Sequence, residues 1–213
     1  MKLFSRVAIV CDHTPEMLQS ANALRVMLEA FTIHVEFYHL VQKRQVAEFF
    51  GRSRPDCDYT VVFTHGYHGA QLTFHVVDQA DGDYDETQGW ASIDFALTPS
   101  LIAEYVKEPK GALISLACGG GSEALAQAFL AAGYDAYVGA DADYIDSDAC
   151  LLFASGLFYC LLAEERDYAP RTYTLQEAVE QASRLDPDFE LGTRPFRYWP
   201  QSAVANAETA VQN

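Results

Sequence analysis

Four short apolar runs, each too brief for a helix, recur along the chain: Val7–Cys11, Tyr59–Thr64, Ala112–Ala117 and Tyr134–Gly139. Continuous hydrophobic runs of this length are what strands buried on both faces require. The stretches between them carry helical signals. Thr14, Pro15 and Glu16 supply an N-cap, a first-turn proline and an acid matched to the helix dipole. Met17, Ala21, Leu24 and Leu28 then repeat at helical spacing. Ile33–Leu40 and Leu72–Val77 read as further strands. Val41–Phe50, Pro99–Val106, Ser122–Ala132, Asp148–Leu162 and Leu175–Arg184 read as helices, with Gly133 as a natural C-terminal stop and Asp78–Gly89 as an acidic loop. This alternation predicts an α/β fold: a mainly parallel sheet covered by helices on both faces.

Two of the runs stop at a reactive side chain followed at once by glycine, Val61–Gly66 at His65 and Ala112–Gly119 at Cys118. The carboxyl ends of parallel strands line one crevice, so two residues far apart in sequence can meet there. A cysteine needs such company, because the thiolate is the nucleophile and an unperturbed thiol is mostly protonated at neutral pH. The pair therefore predicts a Cys–His dyad in which Cys118 attacks a carbonyl and His65 manages the proton. The backbone N–H groups of Gly66 and Cys118 are the natural oxyanion donors, and glycine at 66 lets the backbone approach substrate. A helix starting near Ser122 points its positive end at the thiol region, which favours thiolate. Taken singly, a buried structural cysteine and a satisfied core histidine are the commoner explanations; it is the pairing that favours chemistry.

At 213 residues the chain suits a single domain, expected over 1–200, with a small polar tail over 201–213 that frays. The net charge of −16 disfavours nucleic acid and anionic membrane as partners. The longest apolar stretch, Cys150–Leu162, is short of a membrane span, and Val7–Cys11 is too short for a signal core. Five cysteines, an odd count without a CxxC pair, suggest a reduced, cytoplasmic chain in which Cys57, Cys150 and Cys160 fill space. No metal or cofactor is expected. His68 and His75 lack ligand spacing with His65, and Asp81, Asp83 and Asp85 lack the glycine and terminal glutamate of a calcium loop. One competing pattern stays open: Gly119-x-Gly121-x-x-Ala124 between a strand and a helix, with Asp141 after the next strand, matches a dinucleotide-binding turn and its ribose acid. It leaves His65-Gly66 without a role.

These elements resemble the caspase-like cysteine peptidases, and in particular the CHAT family. The similarity rests on an apolar strand ending in His65-Gly66 and a later strand ending in Ala117-Cys118. It continues through the helix Ala124–Gly133, the strand Tyr137–Gly139, the acidic turn Asp146–Asp148 and the apolar helix Phe153–Leu162. The helix Leu175–Ala182 and the aromatic segment Phe196–Pro200 complete it. The chain departs from the family at Tyr144, where a tryptophan is usual, and in the run Gly119-Gly120-Gly121. The resemblance implies a caspase-like fold, a cysteine endopeptidase activity with Cys118 and His65 as the dyad, and a protein or peptide substrate.

Several carboxylates fall at the predicted active edge: Asp12 after the first strand, and Asp141, Asp143, Asp146 and Asp148 after the strand that follows Cys118. An arginine or lysine at the P1 position of a substrate would place its charge among them. The resemblance implies the same preference, since related CHAT-like and separase-like peptidases favour basic P1. The alternative is that these aspartates cap the following helix and face water. A binding or regulatory module that keeps the fold without catalysis also remains open, as does control by a partner or by homodimerisation.

Overall fold

Alternate residues of the central strands feed two separate cores. Val7, Ile9, Cys11, Val61, Phe63, Ile114, Val138 and Ala140 pack on one side of the sheet. Ala8, Val10, Val62, Leu113 and Tyr137 pack on the other. This period of two, with both faces buried, is why the runs read as near-continuous hydrophobic stretches. The computed structural model describes residues 5–51, 56–66, 70–77, 92–141, 145–161, 173–185 and 196–202.

The main sheet holds β1 (Arg6–Cys11), β2 (His34–His39), β3 (Tyr59–Phe63), β7 (Ala112–Ser115), β8 (Ala136–Ala140) and β9 (Phe196–Pro200), in the order β2-β1-β3-β7-β8-β9. The first five are parallel, as expected; β9 runs antiparallel to β8. The aromatic segment is thus a strand, whose Phe196 stacks on Phe153. Between β3 and β7 the chain forms a second, antiparallel sheet: β4 (His65–Gly66), β5 (Leu72–Val77) and β6 (Ser92–Leu97). Of these three, sequence reasoning found only β5.

Six helices among the described residues cover both faces. Helices α1 (Pro15–Ala30), α5 (Ser147–Leu161) and α6 (Leu175–Ser183) lie on the first core. Helices α2 (Lys43–Phe50), α3 (Pro99–Tyr105) and α4 (Glu123–Ala132) lie on the second, with β5 and β6 beside them. The reason is topological. From β1 the chain steps one way to β2 through α1, then reverses through α2 to β3 on the other flank of β1. Right-handed crossovers require helices on opposite faces when the direction of travel reverses. The switch point therefore falls between β1 and β3, and the carboxyl ends there open a crevice.

Local signals account for the boundaries. Ser122 caps α4 through its hydroxyl, and Gly133 closes it in the left-handed conformation at φ 117°. Thr174 and Glu177 form a capping box on α6. The acidic loop, Asp81, Asp83, Asp85, His68 and Tyr144 lie outside the described residues, as does the tail from 203 on. Gln201, expected to fray, donates its N–H to the Asp135 carbonyl at 3.0 Å.

Candidate active site

The two sequence landmarks come together. His65 opens β4, two residues past the end of β3, and Cys118 lies three residues past the end of β7, the neighbour of β3 in the sheet. Gly66 is pressed onto the Cys118 backbone. A β-carbon built on it would sit 2.9 Å from the Cys118 carbonyl carbon and 3.3 Å from its nitrogen, and closer still to the oxygen. No side chain fits at this position, so the requirement for glycine is close approach rather than turn geometry.

The thiol of Cys118 is half-buried and held by the segment before α5. The Ile145 N–H donates to Sγ at 3.4 Å, and the Ile145 carbonyl lies 3.7 Å from the same sulfur. An N–H aimed at the sulfur solvates the thiolate once its proton has left. Burial pushes Cys11 up to about 12 and Cys57 up to about 11, and it pushes Cys150 up strongly as well, with its Sγ against the Leu116 carbonyl at 3.2 Å.

His65 sits in a net of polar groups. Its Nε2 lies 3.3 Å from Thr14 Oγ1, and its ring meets the edge of His75 with centroids 4.4 Å apart. His75 Nδ1 is 2.6 Å from Asp94 Oδ1. Burial lowers the His65 pKa; Asp12, Glu16 and Asp94 oppose that shift and His75 adds to it. Burial thus favours the neutral ring, the form that accepts a proton. The sequence reading gives Thr14 only the role of a helix cap and His75 no role in the site. The alternation of β5, which places Thr73 and His75 on one face, was the available signal for His75. Nothing in the sequence tied Ile145 or Asp94 to the site.

The expected substrate carboxylates separate. Asp12 is 0% exposed. Its Oδ1 accepts from the Thr14 N–H at 3.0 Å and the Thr14 hydroxyl at 2.6 Å. Its Oδ2 accepts from the His75 N–H at 3.4 Å and lies 3.0 Å from the Thr64 hydroxyl, which also reaches the Thr73 carbonyl at 2.6 Å. With both oxygens satisfied and no surface in the crevice, Asp12 does not fit a role in contacting substrate. Asp141 is bound by Arg197 at 2.5 Å. Asp146 is exposed and follows Ile145 directly, beside the thiol. Asp143 lies outside the described residues.

The dinucleotide pattern does not fit its glycines. A phosphate-binding turn presents free N–H groups to the ligand. Here Gly120 N–H donates to Ala117, Gly121 N–H to Ala140 at 2.5 Å, and Ser122 N–H to Gly119. A β-carbon on Gly121 would lie 2.7 Å from the Ala140 carbonyl carbon, so these glycines exist to let the loop cross β8. Gly119 adopts φ 61°, which completes the turn after Cys118. The ribose acid of that reading, Asp141, is taken by Arg197.

A solved structure of similar fold agrees with this architecture. The Saccharomyces cerevisiae separase–securin complex matches with a TM-score of 0.55 at 9% identity, over 94% of this chain and 12% of the matched chain. The likeness is one of fold, of the caspase-like type, and the chain spans about an eighth of the length of that protein. Two flavodoxins also match: one of Streptococcus pneumonia TIGR4 (TM-score 0.36, 11% identity, 71% of this chain and 93% of that one), and a short-chain flavodoxin associated with a bacterial microcompartment (TM-score 0.37, 16% identity, 73% and 98%). Both likenesses are too slight to carry an argument. No protein-family model matches the chain, and no curated protein matches it. Among the described residues no helix is long and apolar enough to cross a membrane.

Proposed function

We propose that the chain is a cysteine peptidase of the CHAT type, acting within a single domain over residues 1–200 in the cytoplasm. The observation that carries the proposal is the seating of Gly66 on the Cys118 backbone, which brings the His-Gly and Cys-Gly strand ends to one point of the crevice. The thiol proton passes to His65, and Sγ bonds to the substrate carbonyl carbon as the π pair moves onto oxygen. That oxyanion faces the N–H groups of Gly66 and Cys118. Among the described residues no backbone carbonyl takes the Cys118 N–H, as an oxyanion donor requires. Collapse expels the amine, which takes the proton from His65, and water then hydrolyses the thioester.

For the substrate, a basic P1 residue suits the site best. Asp146 is the exposed carboxylate beside the thiol, and Glu16 and Asp94 add negative field around His65. Asp141 contributes only when Arg197 releases it. The matched separase was solved with securin, and a regulatory protein partner for this chain is proposed by that analogy, with a homodimer as the alternative.

A positional-scanning library of fluorogenic peptides tests the reading. Cleavage after arginine or lysine is expected, and Cys118→Ala and His65→Ala should each abolish it. The double variant should be little worse than either single one, because parts that act as a unit are non-additive. Full activity in Cys118→Ala refutes the dyad; preference for aspartate at P1 refutes the acidic pocket.

A further inference from the structure

We infer that Asp12 and Thr14 are positioning residues that hold His65 as its Nε2–H tautomer, leaving Nδ1 as the nitrogen that receives the Cys118 proton. The inference deepens the dyad reading and rests on it.

The argument is a count of protons. A carboxylate can only accept hydrogen bonds, so the 2.6 Å contact between Thr14 Oγ1 and Asp12 Oδ1 consumes the one proton of the threonine hydroxyl. The lone pairs left on Oγ1 can only accept. The partner at 3.3 Å, His65 Nε2, must therefore carry a hydrogen. In a neutral imidazole the second nitrogen then has a free lone pair. When Nδ1 takes the thiol proton, the imidazolium keeps its Nε2–H on Thr14, and the buried Asp12 charge two bonds along the chain of contacts stabilises it. Third groups with this role are common where a histidine serves as base.

Thr14 itself supplies an independent sign. It occupies the N-cap of α1 with extended backbone (φ −69°, ψ 139°), yet its side chain makes no capping bond. The N-cap hydroxyls of Thr98, Ser122 and Thr174 all accept from the first turn of their helices. A threonine whose stabilising cap is forgone has its hydroxyl committed elsewhere. Such local departures gather at functional sites. Asp12 also holds the surroundings of the ring: Oδ2 takes the backbone N–H of His75, the residue packed on His65. Both residues follow β1 at the switch point, the place from which the end of β3 can be reached.

The test reads tautomer and activity separately. Nitrogen-15 NMR of the His65 ring, assigned by its loss in His65→Gln, should show a slowly exchanging Nε2 proton near neutral pH in the native protein and in Thr14→Ser. The signal should be lost in Thr14→Val. In turnover of an arginine-P1 peptide, Thr14→Val should lower kcat by roughly 10–100-fold with KM unchanged, a part of the roughly 10²–10⁴-fold that positioned proton transfer supplies, and Thr14→Ser should restore it. Asp12→Asn removes the charge that supports the imidazolium, so the acidic limb of its pH–rate profile should move to lower pH. Glu16, Asp94 and His75, which also act on this ring, are left in place in every variant. An Nδ1–H tautomer in the native protein, or native kcat in Thr14→Val, overturns the inference. If the NMR signature is present and no peptide is cleaved, the tautomer assignment holds and the peptidase reading falls. If Thr14→Val fails to fold, the ring tautomer of the native protein and the pH–rate profile of Asp12→Asn still decide the inference.

Discussion

Substituting Gly66 by alanine tests the geometry on which the site depends. The added methyl would stand 2.9 Å from the Cys118 carbonyl carbon, with ordinary van der Waals contact beginning at 3.4 Å. The carbon must therefore retreat by about half an ångström, and the oxygen, which is nearer, by more. Both atoms are backbone, so no rotamer relieves the clash; β4 and the Cys118 turn have to separate. Forcing an extra carbon into a close-packed site costs roughly 1–3 kcal/mol. For a chain of this size that lowers Tm by about 2–12 °C. Displacing a nucleophile by about 1 Å costs on the order of 100-fold in rate, so a loss of roughly 10- to 100-fold in kcat/KM should accompany it. Gly156→Ala is the matched control. Its methyl meets the end of the Leu185 side chain, which can rotate, and the helix gains about 1 kcal/mol of propensity. Thermal melts followed by circular dichroism, with kcat/KM on an arginine-P1 peptide, compare the two. A native Tm for Gly66→Ala would falsify the close approach and everything built on it.

Two further outcomes are expected. Because burial lowers the pKa of His65, and lowers that of His39 in the same direction, the unfolded chain binds more protons at mildly acidic pH. Their contribution to stability is complete above about pH 6.5 and declines as pH falls from there toward the folded pKa values; urea midpoints that rise between pH 7.5 and 5.5 would contradict this. Cys118 should react with iodoacetamide well ahead of Cys11, Cys57 and Cys150, whose thiols burial keeps protonated. Peptide mapping after brief labelling at pH 7.5 decides the order, and first modification at any of those three would remove Cys118 as the activated thiol.

Much of this molecule was legible in its sequence because buried parallel strands leave an unmistakable trace. Val7–Cys11, Tyr59–Thr64 and Ala112–Ala117 are almost wholly apolar since both faces are covered, and their order with the helices dictates which ends share an edge. That was enough to bring His65 and Cys118 to one crevice. The resemblance to caspase-like peptidases carried the same pair. What strand periodicity does not encode is contact between elements distant in the chain. Asp12 was expected at the crevice and stands there, but only packing could show it buried beneath Thr14, Thr64 and His75 rather than facing a substrate. The pattern Gly119-x-Gly121 was ambiguous between cradling a phosphate and crossing a strand; the approach of β8 within van der Waals range decided for the strand. The pairing of Arg197 with Asp141, and the hold of Ile145 on the thiol, depend on where β9 and the segment before α5 come to rest. A sequence specifies burial through its own residue types, and so determines the strands, their faces and their carboxyl ends. Hydrogen bonds between side chains depend on distances of tenths of an ångström, which exist only once tertiary packing has placed both partners.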